Sequence, residues 1–106
     1  SGNGLMPIEP EEDENELIPE VFHVEQNYPN PFNPTTLIRY SIARSETVLL
    51  TVYNLMGEKI QTLVNEVQPV GEYTAFFDAG NLPSGVYFYT LQAGGFSTTR
   101  KMVLMR

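Results

Sequence analysis

The sequence contains no cysteine and no tryptophan, and one histidine in 106 residues. Without cysteine there is no disulfide framework, no thiolate metal site and no thiol nucleophile. His23 has no second histidine or thiol with which to share a metal. A catalytic site needs a nucleophile, a base and an orienting group that converge. Here the serines lack a glycine-flanked elbow, and neither a glycine-rich phosphate loop nor an HExxH pair is present. Glycoside hydrolysis needs two carboxylates facing each other across a cleft, whereas those beyond residue 20 are scattered among turns and strand exteriors. These absences predict a protein that is not an enzyme and that takes no cofactor and no metal. Long apolar runs are also missing: none approaches the roughly 20 residues of a membrane span. No integral membrane segment is therefore expected, and no signal peptide is visible. The chain opens on Ser1 rather than Met and reads as a piece of a longer or processed polypeptide.

Basic residues are scarce as well, six against thirteen acids for a net charge of −7. The imbalance is local. Glu9, Glu11, Glu12, Asp13, Glu14, Glu16 and Glu20 crowd the first twenty residues, which hold no lysine or arginine. Acids and bases balance in the remainder, which has no cationic surplus for a phosphate backbone, so nucleic acid is not an expected partner. Like charges repel, and Pro7, Pro10 and Pro19 disfavour helix and sheet. Residues 1–21 therefore read as an acidic, flexible linker. The alternative, a calcium loop, needs spaced oxygens around a turn glycine, and residues 11–16 supply neither.

From residue 22 onward the chain is rich in short alternating runs and has no sustained helical period. Strands are expected over Val21–Gln26, Thr36–Ile42, Val48–Asn54, Lys59–Val64, Gly71–Asp78, Val86–Gln92 and Phe96–Met105. Ile38, Tyr40 and Ile42 share one face by the period of two, as do Val48, Leu50 and Val52. Asn54 to Gly57 reads as a tight turn with Gly57 in the left-handed position, and Gly94-Gly95 as a hairpin loop. Asn65–Val70 reads as a loop, and Ala79–Ser84 as a bend plugged by Leu82. In Asn27–Pro34 (NYPNPFNP) three X-Pro steps enforce a stiff, irregular connection anchored by Tyr28 and Phe32. Seven strands with turn signals at sandwich spacing predict an all-β, seven-stranded antiparallel immunoglobulin-like β-sandwich over residues 22–106. Most aromatics fall in phase with strand interiors, so no tight saccharide binding is expected. On Val86–Gln92 both parities are bulky, which predicts an aromatic patch open to a partner.

Four stretches, taken together and in order, resemble the C-terminal sorting domains of the type IX secretion system of Bacteroidota. They are Tyr28-Pro29-Asn30-Pro31-Phe32-Asn33-Pro34, Val52-Tyr53-Asn54 leading to Gly57, Leu82 to Tyr87 (LPSGVY), and Lys101-Met102-Val103-Leu104. The NPFNP form is also similar to the immunoglobulin-like domain of flagellar hook-capping proteins. The resemblance implies a domain at the end of an exported cargo protein, folded in the periplasm in transit, then secreted or held at the outer-membrane cell surface. Its implied partners are the outer-membrane translocon, a surface sortase-like protease and an N-terminally fused cargo. It implies recognition at Gly85, Tyr87 and Lys101 to Leu104. The cationic, apolar terminus extends that set to Met105 and Arg106. The seven residues of the proline loop and Gly57 are expected to be structural. Two other readings stay open: an accessory binding or spacer module of carbohydrate-binding or fibronectin type, and a hook-cap scaffold. On the sorting reading, proteolytic release falls within residues 1–20 or just before Phe22, and Lys101→Ala and Arg106→Ala cost little stability.

Overall fold

The computed structural model describes residues 21–106. The expected acidic linker lies outside the described residues, apart from Val21. The described residues form seven strands: β1 (His23–Val24), β2 (Thr35–Ile42), β3 (Glu46–Tyr53), β4 (Lys59–Gln68), β5 (Gly71–Asp78), β6 (Gly85–Ala93) and β7 (Phe96–Leu104). All pairings between strands are antiparallel, in two sheets ordered β1-β2-β5 and β4-β3-β6-β7. This is the expected sandwich. Compared with the constant-type immunoglobulin arrangement, the fourth strand has left the first sheet and pairs with the third.

The core lies between the sheets. It draws Ile38, Tyr40 and Ile42 from β2, and Val48, Leu50 and Val52 from β3. Ala75 and Phe77 come from β5, Tyr87, Tyr89 and Leu91 from β6, and Met102 and Leu104 from β7. Each set alternates with outward residues, which is how a strand half-buried against a partner sheet must be written. Leu82 packs against this core from the β5–β6 bend, as its apolar character in a polar stretch predicts.

Two segments differ from the sequence reading. β1 has two residues rather than six, although Glu25 adds one ladder bond by donating to the Arg39 carbonyl at 2.8 Å. β4 runs on through Asn65–Gln68, a stretch read as a loop, because β3 starts earlier, at Glu46, and offers partners for it. β4 is an edge strand with one side in water, so polar residues suit it. Its apolar residues fit no period of two because the register shifts twice, opposite Leu50/Thr51 and Val52/Tyr53. Leu63 and Ile60 fall at those shifts, and both pack on the core. An extra residue of this kind bends and twists an edge strand.

The turns follow their glycines. Gly57 has φ +84°, its amide bonds the Asn54 carbonyl at 3.0 Å, and the Asn54 side chain receives the Met56 and Glu58 amides at 2.9 Å each. Gly94 has φ +58° in a two-residue loop between the paired Ala93 and Phe96.

Candidate functional site

The four sequence stretches, distant along the chain, meet at one end of the sandwich. There β7 ends beside the start of β6, with Leu104 opposite Gly85 and Met102 opposite Tyr87. The proline loop lies along the outer edge of β7. Phe32 bridges Leu104 in parallel, its amide donating to the Val103 carbonyl and its carbonyl accepting from the Met105 amide, each at 2.9 Å. The Asn30 carboxamide oxygen accepts the Val103 amide at 3.0 Å, and the Gln26 side chain donates to the Lys101 carbonyl at 2.6 Å. Backbone groups on a sheet edge must find partners. The loop supplies them, so the end of the last strand is held on both sides.

A buried polar hub holds the loop in turn. Asn27 is 2 % exposed. Its amide donates to the Tyr89 hydroxyl at 2.8 Å, and that hydroxyl donates to the Glu25 carbonyl at 2.6 Å. The Asn27 carboxamide donates to Thr36 Oγ1 at 3.0 Å and to the Pro29 carbonyl at 3.1 Å. Phe32 is the expected anchor, 2 % exposed and edge-on to Phe77. Tyr28 is not an anchor. It is 79 % exposed, because it bridges Leu37, which faces outward on β2.

The β5–β6 bend is fixed from two sides. The Tyr87 hydroxyl donates to the Pro83 carbonyl four residues back, at 2.8 Å. This is the tyrosine corner of immunoglobulin-like sandwiches. An identical spacing recurs one strand earlier, where the Tyr73 hydroxyl donates to the Pro69 carbonyl at 2.6 Å. Both corners read Pro-x-Gly-x-Tyr, with Gly71 and Gly85 at φ +157° and +152°, values L side chains rarely adopt. From the other side the chain's last residue grips the bend. The Arg106 amide donates to Ser84 Oγ at 3.1 Å, and its guanidinium donates to the Leu82 carbonyl at 2.9 Å and to the Gly80 carbonyl. Arg106 is thus not a free charge, and the expectation that its loss costs little stability does not fit this geometry.

Among the proposed recognition residues, Tyr87, Met102 and Leu104 are buried in the core. Val103 is half-buried on the outer face of its sheet, while Lys101, Met105 and Arg106 are exposed. Sequence reasoning missed Asn27 and the second corner. The repeated Pro-x-Gly-x-Tyr spacing was the available signal for the corner. An asparagine ahead of a proline run gave no sign that it would be buried. His23 is exposed on β1, in an open trough of about 440 Å³ that Arg39, Glu72 and Tyr73 also line. Among the described residues, no three His, Cys, Asp or Glu are grouped to hold a metal ion, and no helix is long and apolar enough to cross a membrane.

An antiparallel sandwich of two sheets with a tyrosine corner, its last strand bonded by the proline loop and its end by the β5–β6 bend, belongs to the class of immunoglobulin-like β-domains. Residues 26–105 match the family model of the secretion system C-terminal sorting domain, and the chain belongs to that family. Members act as C-terminal sorting signals for type IX secretion. That implies export of an N-terminally fused cargo to the cell surface or beyond. Comparison with curated proteins and with solved structures returns no match.

Proposed function

We propose that this domain is a non-catalytic signal, that the outer-membrane translocon reads its folded terminal strand, and that a surface sortase-like protease then removes it. The observation that carries this is the bracing of β7: Phe32, Asn30 and Gln26 satisfy its edge from Lys101 to Met105, and Arg106 locks the end to the β5–β6 bend. A strand held at both edges presents a fixed outer surface, which lowers the ordering cost of binding. The contact residues on this reading are Lys101, Val103 and Met105. Gly85, Tyr87, Met102, Leu104 and Arg106 act by holding them in place. The proline loop and Gly57 are structural supports. Transit through the periplasm follows from the same route.

Removal of the domain falls within residues 1–20 or just before Phe22, the acidic, proline-broken stretch that composition marks as linker. A periplasmic reporter ending in this chain, expressed in a bacterium with the type IX system and in one lacking it, tests both points. The expected result is surface or medium reporter only when the system is present, with a released fragment whose N-terminal residue lies at or before position 22. Equal export without the system, or a first cut within residues 40–80, contradicts the proposal.

A further inference from the structure

Beyond the terminal strand, we propose that the outer face of the four-stranded sheet docks an acidic protein surface through one transverse row, Lys59–Tyr53–Phe88–Lys101. The inference rests on the sorting reading above and extends it to residues on β3, β4 and β6. The row is fixed by register: Lys59 pairs with Tyr53, Tyr53 with Phe88, and Phe88 with Lys101. Directly opposed residues of antiparallel strands share a face. Tyr53 and Phe88 are half-buried, and both lysines are exposed. At strand spacing the four positions span about 14 Å. Val86 and Val103, also paired and half-buried, widen the apolar centre.

The electrostatics of this face are one-sided. None of its outward-facing residues is acidic. Glu58, in the adjoining turn, is engaged by the Asn54 carboxamide at 2.7 Å. The ion pair found among the described residues, Arg44–Glu46, lies elsewhere. The outer face of the other sheet, by contrast, mixes Arg39 with Glu72 and Asp78. A flat apolar centre flanked by two cations that have no ion-pair partner among the described residues has the anatomy of a protein interface, with an aromatic middle and a polar rim. It does not suit a single phosphate, which is held by converging donors. Two lysines about 14 Å apart on a flat sheet do not converge.

Both lysines lie on edge strands, where a charge also discourages edge-to-edge pairing. A glutamate also places a charge on the edge, so charge reversal separates the two roles. Lys59 lies outside the terminal element that the sorting reading singles out, so a change there probes the face alone. In the reporter fusion, Lys59→Glu is expected to lower export about tenfold, since like-charge juxtaposition at an interface is costly. Lys59→Arg and the opposite-face control Arg39→Glu are expected to export normally, and all three to keep the wild-type melting temperature. Normal export of Lys59→Glu overturns the inference and leaves the sorting reading standing. Failure of the wild-type fusion itself overturns that reading and the inference with it. Cosedimentation of the purified chain with phosphatidylglycerol vesicles, abolished by Lys59→Glu, overturns protein docking in favour of a lipid surface.

Discussion

At the scale of single residues, the fold depends on polar groups that propensity does not rank. Tyr89 sits two positions after the corner tyrosine, where antibody-type domains place a disulfide cysteine. Here a hydroxyl tying Asn27 to Glu25 takes that place. Burial, the largest cause, pushes the Tyr89 hydroxyl from 10.0 up to about 12, and burial also raises Tyr40. Between these values the unfolded chain gives up a proton that the folded chain keeps. The contribution to stability is therefore complete below pH 10.0 and is lost as pH rises towards about 12. Tyr89→Phe is expected to cost about 1–3 kcal/mol at pH 7, because the buried Asn27 amide loses its acceptor. It should also flatten the loss of stability between pH 10.0 and about 12. Urea midpoints at neutral and alkaline pH check both, and an unchanged alkaline slope contradicts the assignment. Alternation put Tyr87, Tyr89 and Leu91 on one face of β6, but with both parities bulky it did not say which face is inward; their burial does. The partners of the Tyr89 hydroxyl were not legible either, because they lie sixty or more residues away.

At the scale of elements, period and turn chemistry carried most of the reading. β2, β5 and β6 match their expected spans to within a residue at either end, since each is dense in β-branched and aromatic residues and opens at or just after a glycine or proline. β4 did not, because its two register shifts break the period and its polar second half is strand only by virtue of β3. The proline loop was legible as rigid. Its place against β7 was not, since that contact rests on backbone groups and one asparagine. Asn30→Ala is expected to expose the Val103 amide to exchange and to cost about 0.5–1.5 kcal/mol. The amide of Met105, which bonds the Phe32 carbonyl, should stay protected. Amide exchange resolved by NMR checks this; equal protection of Val103 in both proteins contradicts the strap. The aromatic patch expected on β6 reduces to its outward parity, where Val86 and Phe88 are half-buried beside Tyr53.

At the scale of the molecule, the sequence stretches that carried the family resemblance converge on one end of the sandwich, where the proline loop and the β5–β6 bend hold the last strand in place. The central claim is that this strand is read as a folded surface at the chain's end. A short neutral extension after Arg106 leaves every core residue intact, and Lys101→Ala removes an exposed side chain whose loss costs about 0–1 kcal/mol. Both should keep the melting temperature within a few degrees of the wild type. The most direct measurement is export of the reporter fusion carrying both changes, alongside that melting temperature. The account predicts a folded protein that stays inside the cell envelope. A folded variant exported as well as the wild type would contradict it and would move recognition away from the terminal strand.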